Sequence, residues 1–148
     1  DVNWKSKNSN CTGFMWACDY NHIETVKYLI TIDRINVNLV DNGGWSGFYS
    51  ACWNGRNEIV QILLDDARVD LMLSTNNNWS PLMVAACCGK TETEKRILCA
   101  SRWRKIPDMM QKSTEDYSSL FGSDIKAGST AIDMAKQEGN NEIVAMME

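Results

Sequence analysis

The chain repeats itself every 34 residues, and this period restricts its fold more than any single motif does. Thr12, Ser46 and Ser80 stand 34 apart, as do Phe14, Phe48 and Leu82, then Ala17, Ala51 and Ala85, and finally Leu29, Leu63 and Ile97. Self-similarity at this spacing is the signature of stacked helical repeats. Each unit has an apolar face too narrow to close a core alone, so it must bury that face against a neighbour. The stretch from Trp45 to Leu64 is the clearest copy.

The copies predict pairs of short helices. Thr12 is placed to cap the first helix, and Asn21 to close it with a left-handed turn. In the next helix Val26, Leu29 and Ile30 recur at helical spacing, while Glu24 and Lys27 face water. The second copy joins the first through residues 36–44, whose Asp, Asn and Gly suit the tight turns of a projecting hairpin. There Gly55 ends one helix, and Ile59, Val60, Leu63 and Leu64 form the inward stripe of the other. In the third copy Pro81 occupies a first helical position, where a missing N–H costs nothing.

Thr93 and Glu94 stand where the second copy has Ile59 and Val60. A buried unpaired carboxylate costs several kcal/mol, against a total stability of about 5–15 kcal/mol. The expectation is that this helix starts late or twists, so that Glu94 reaches solvent or a cation in the segment that follows.

The fourth copy is delayed, with 50 residues rather than 34 between Ala85 and Ala135. The extra length falls within residues 101–126, and loop entropy rises slowly enough to tolerate it. Lys136 replaces the small Cys18, Cys52 and Ala86, a charge expected of a terminal capping unit. The fold class read from this pattern is all-α. It is a single domain over 1–148, with repeats at about 1–33, 34–67, 68–100 and 127–148.

Composition narrows the function classes. A net charge of −4 gives no general attraction to nucleic acid or to an anionic membrane, and no run approaches the ~20 apolar residues of a membrane span. Because the first residue is Asp1 rather than Met, a fragment or trimmed chain is expected, and an absent leader says nothing about location. The six cysteines include no Cys-x-x-Cys pair, and His22 is not spaced with them as a zinc ligand would be. Reduced, structural thiols are expected, which favours the cytoplasm. The chain offers no paired acid and base, no phosphate loop and no nucleophile placed near a histidine, so no enzyme and no cofactor is expected.

The repeated segments resemble a known family. Thr12-Gly13-Phe14-Met15-x-Ala17, Ser46-Gly47-Phe48-Tyr49-x-Ala51, Ser80-Pro81-Leu82-Met83-x-Ala85 and Thr130-Ala131-Ile132-Asp133-x-Ala135 resemble the Thr-Pro-Leu-His-x-Ala signature of ankyrin repeats. Asn21-His22-Ile23-Glu24, Gly55-Arg56-Asn57-Glu58 and Gly139-Asn140-Asn141-Glu142 resemble that family's Gly-His-x-Glu turn. The resemblance implies a solenoid of paired antiparallel helices joined by hairpin loops. The signature histidine is replaced by Met15, Tyr49, Met83 and Asp133, so a local side-chain hydrogen bond is expected to be lost and thermal stability to be modest.

The resemblance also implies a non-enzymatic module that binds another protein through hairpin tips and the outward positions of each first helix. Carried onto this chain, those positions are Cys11, Met15, Asp19 and Tyr20, then Asn42, Gly43, Trp45, Tyr49, Trp53 and Asn54. The third copy adds Asn76, Asn77, Trp79, Met83, Cys87 and Cys88, and the fourth Ser129, Asp133, Gln137 and Glu138. Trp45, Tyr49, Trp53 and Trp79 form the expected centre, with Tyr20 beside them, since Trp and Tyr are enriched among residues that carry binding energy. Trp45 and Trp79 hold equivalent positions, so stacking from hairpin to hairpin is an equal reading of that pair.

The partner is expected to be a protein, with no nucleic acid and no membrane, and the chain a monomer. A recruiting or regulatory domain within a larger enzyme, channel or scaffold is the alternative. The basic segment with Lys95, Arg96, Arg102 and Arg104 reads as a solvated loop or as a site for an acidic partner or phosphate groups. Asn38 resembles hairpin asparagines that are hydroxylated in some ankyrin proteins.

Overall fold

A computed structural model describes residues 1–100 and 129–148; the insertion expected at 101–126 lies outside the described residues. Among the described residues eight helices pair in sequence: α1 (Gly13–Asp19) with α2 (Ile23–Ile30), α3 (Gly47–Asn54) with α4 (Asn57–Asp65), α5 (Pro81–Cys87) with α6 (Thr91–Cys99), and α7 (Ala131–Gln137) with α8 (Asn141–Met147). The described residues contain no strand beyond two isolated bridges, Lys5 with Thr12 and Val40 with Ser46, which close the first two hairpins. First helices stack on first helices, α1 to α3 to α5 to α7, and second helices stack likewise. The fourth pair therefore packs directly on the third.

The repeated residues explain the local geometry. Thr12, Ser46, Ser80 and Thr130 cap their helices, each side-chain oxygen accepting a backbone N–H three residues on, at 3.2, 3.1, 3.2 and 3.3 Å. The N–H groups of His22, Arg56, Lys90 and Asn140 donate to the carbonyl oxygens of Ala17, Ala51, Ala85 and Ala135 at 2.8–2.9 Å, fixing each turn between paired helices. That turn needs one left-handed residue, supplied by Asn21 at φ 62° and by Gly55 at φ 65°.

One expectation is corrected at the caps. Loss of the signature histidine does not remove the local hydrogen bond from every copy. The N–H of Thr12 donates to Met15 Sδ at 3.4 Å, that of Ser80 to Met83 Sδ at 3.5 Å, and that of Thr130 to Asp133 Oδ2 at 2.9 Å. These are capping boxes in which a thioether or carboxylate accepts from the cap backbone.

A second correction concerns Glu94. Helix α6 begins at Thr91, in register with α4, and neither starts late nor twists away. Glu94 is 1% exposed, and its partner among the described residues is the neutral amide of Asn140, whose Nδ2 donates to Oε2 at 3.1 Å, rather than a cation. Among the described residues Oε1 has no hydrogen-bond partner. Thr93 is also buried and gives its hydroxyl proton to Asn57 Oδ1 at 2.7 Å. The stripe that Ile59 and Val60 fill with apolar atoms is thus continued by polar groups.

The hairpins form their own ladder. Asn42 Nδ2 donates to the Asn8 carbonyl oxygen and Asn76 Nδ2 to that of Asn42, both at 2.9 Å. Backbone bonds run beside them from Asn42 N to Ser9 O and from Asn76 N to Gly43 O, at 3.1 and 3.0 Å. Lys136 is exposed at the far end, its Nζ 3.2 Å from the Glu148 carboxylate.

Candidate protein-binding face

The outward row of α3 begins in the hairpin with Trp45 and continues at helical spacing through Tyr49 and Trp53. The Trp45 ring lies 5.0 Å from that of Tyr49 and 4.9 Å from that of Trp53, both tilted. Packing beneath Trp45 leaves Tyr49 only 2% exposed, whereas Trp45 and Trp53 are half-buried. In the first repeat Trp16 and Tyr20, four apart on α1, stack with centroids 5.5 Å apart and ring planes within 8°. They are 46% and 58% exposed, the most open large aromatic pair on a first helix among the described residues.

A cleft of about 150 Å³ lies between the first two repeats, lined by Cys11, Met15, Trp16, Asp19, Asp41, Trp45 and Ser50. Two of these lining residues are acidic. Asp19 Oδ1 accepts from Asn54 Nδ2 at 2.8 Å, which ties the first repeat to the second. Asp41 Oδ1 accepts the backbone N–H groups of Gly43 and Trp45, both at 2.8 Å, and so shapes the hairpin that presents Trp45. Neither carboxylate belongs to an ion pair among the described residues.

The expected contact residues are therefore distributed unevenly. Tyr20 is exposed, and Asp19, Trp45, Trp53, Asn54 and Asn77 are half-buried. Asn42 is exposed but its amide is engaged in the hairpin ladder. Trp79, Met83 and Cys87 are buried with Tyr49 and pack within the stack of the free chain. Trp16, absent from the sequence-based set, lines the cleft. Its counterparts Ser50, Val84 and Met134 are all buried, so the repeat pattern alone marks that position as core.

Elsewhere the candidates are occupied. Asn38 donates from Nδ2 to the Arg68 carbonyl oxygen at 2.7 Å and accepts at Oδ1 from Asp70 N at 2.8 Å, so both ends of its amide are bonded. In the basic segment Lys95 pairs with Glu142 at 2.8 Å and Arg96 with Glu92 at 2.9 Å; Arg102 and Arg104 lie outside the described residues. All six cysteines are free thiols. Among the described residues no helix is long and apolar enough to cross a membrane.

Paired helices stacked at a constant period, with hairpins projecting along one edge, define a helical repeat solenoid. A family model of ankyrin repeats, in three copies, matches residues 1–74, and the chain belongs to the ankyrin repeat family. No curated protein matches the chain. Ankyrin repeats are generally protein-interaction modules, and domains built from them are typically non-enzymatic.

Proposed function

We propose that the chain is a non-enzymatic protein-binding module whose contact surface runs along the first helices, from Tyr20 and Trp16 to Trp45 and Trp53, with the hairpin tips at its edge. The observation that carries this reading is the exposed Trp16–Tyr20 stack beside the cleft that Trp45 also lines. Exposed aromatic area with no structural partner marks an interaction site, and Trp and Tyr bring large contact area with little conformational entropy to lose. Six free thiols support a reducing compartment such as the cytoplasm.

The test is recovery of partners from a cell extract on immobilised native chain and on a Trp16→Ala, Tyr20→Ala double variant of matched circular dichroism. Loss of at least one specific partner from the variant is the expected result. Identical partner lists would remove this face from consideration.

A further inference from the structure

We infer that the cleft between the first two repeats receives a basic side chain of the partner protein, its charged head against the Trp16 and Trp45 rings and the Asp19 and Asp41 carboxylates. This rests on the reading of the first-helix face as the contact surface. The cleft is specific in its chemistry because it combines two indoles with two acids. Indole faces attract a cation through the ring quadrupole, and the attraction grows when water is excluded.

The carboxylates decide the sign of the occupant. Asp19 and Asp41 each use one oxygen to position the protein itself, Asp19 on Asn54 and Asp41 on the Gly43 and Trp45 N–H groups. Among the described residues their second oxygens have neither a hydrogen bond nor an ion pair. An apolar occupant would strip water from both acids without replacing it. An acidic occupant would meet like charge in a chain already at −4. A guanidinium or ammonium satisfies both oxygens and the rings together.

Among the described residues the protein's own cations do not fill this place. Arg56 donates Nε–H to the Asp19 carbonyl oxygen at 3.1 Å without forming an ion pair with its carboxylate, and Lys5 gives its Nζ to the Val40 carbonyl oxygen at 2.6 Å.

The experiment is a selection of random displayed 12-residue peptides on the full chain, followed by affinity measurements. Selected peptides are expected to share one Arg or Lys, and its replacement by citrulline or norleucine to weaken binding at least tenfold. Exchange of Arg for Lys then separates guanidinium from ammonium. An Asp19→Asn, Asp41→Asn variant keeps both positioning oxygens. It should bind the basic peptide at least tenfold more weakly and the neutral peptide no differently from the native chain.

Selected peptides that lack a basic residue, or that bind this variant as tightly as the native chain, overturn the proposal. If such peptides still fail to bind Trp16→Ala, Tyr20→Ala, the contact face stands and only its preference for a cation is wrong. If no peptide is selected, or binding ignores both double variants, both readings fail.

Discussion

The Asn140 amide donates to Oε2 of Glu94 at 3.1 Å and to the Thr91 hydroxyl at 3.0 Å, so that one side chain ties the fourth helix pair to the third at two points. Burial pushes the Glu94 carboxyl from 4.5 up to about 7; the Asn140 bond opposes this and the Glu138 charge adds to it. The folded chain therefore holds this proton more tightly than the unfolded chain does. The resulting stabilisation is complete below the unfolded value near 4.5 and is lost as pH rises through about 7. Glu94→Gln cannot make that change. Between pH 5 and pH 8 the variant should gain on the native chain by on the order of 2 kcal/mol in urea unfolding. Parallel pH profiles for the two proteins would contradict the assignment.

Restoring the apolar stripe should also stabilise the chain. Glu94→Val places at this site the residue that Val60 supplies one repeat earlier, while Asn140 retains Thr91 as a partner. Replacing a buried charged group by a packed apolar one is commonly neutral or favourable. A gain of about 1–2 kcal/mol at pH 8, and less at pH 5, is expected from the same denaturation series. A loss at both pH values would mean that the Glu94–Asn140 bond holds the repeats together more strongly than burial of Glu94 opposes them.

The hairpin edge makes a sharp distinction between adjacent glycines. Gly44 has φ 82°, and a Cβ there would lie 2.7 Å from the Asn76 backbone nitrogen of the next hairpin. Gly44→Ala should cost about 1–3 kcal/mol, since both the backbone angle and the neighbour resist. A Cβ on Gly43 meets side chains alone, Trp45 at 3.2 Å and Asp41 Oδ1 at 3.5 Å, so Gly43→Ala should cost less than about 1 kcal/mol. Thermal unfolding of the two variants checks the ordering.

Aromatic residues of the two first repeats should separate by role. Tyr49→Ala removes a buried ring and should destabilise by about 3–5 kcal/mol. Trp16→Ala removes an exposed one and should change stability by less than about 1 kcal/mol. Equal losses in chemical denaturation would show that Trp16 belongs to the stack.

Thiol reactivity gives an independent reading of packing. Burial raises the Cys18 thiol pKa, and the Asp19 charge adds to it; Cys52 is raised by burial and by neighbouring Cys18. Cys99 is exposed. Iodoacetamide should modify Cys99 in the native chain and reach Cys18 and Cys52 only on unfolding, as peptide mass mapping would show. Native-state labelling of Cys52 would contradict the core.

Much of this architecture is legible in the sequence because its determinants must recur. A helix start needs Thr12, Ser46, Ser80 or Thr130, and the tight turn needs a small residue such as Ala17 or Ala51, so the 34-residue step exposes both. What does not recur is harder to read. Met15 and Met83 replace the signature histidine with a thioether, whose weak acceptor character becomes visible only when Sδ lies beside the cap N–H. Asn140 reaches Glu94 across the insertion, a distance the simple period does not give. At the face, Trp45 and Tyr49 both project outward by spacing, yet one ring covers the other. Trp16 hides at a position filled by core residues in every other copy.

The asparagine ladder along the hairpins bears on how such an array could be given a new partner. Asn42 and Asn76 are exposed, which would ordinarily recommend them for randomisation, but each amide holds the neighbouring hairpin in place. A library built at those tips would spend its diversity on misaligned arrays. Trp16 and Tyr20 make none of those ladder bonds, so new specificity is best sought on the helix face, with the hairpins left as its ruler.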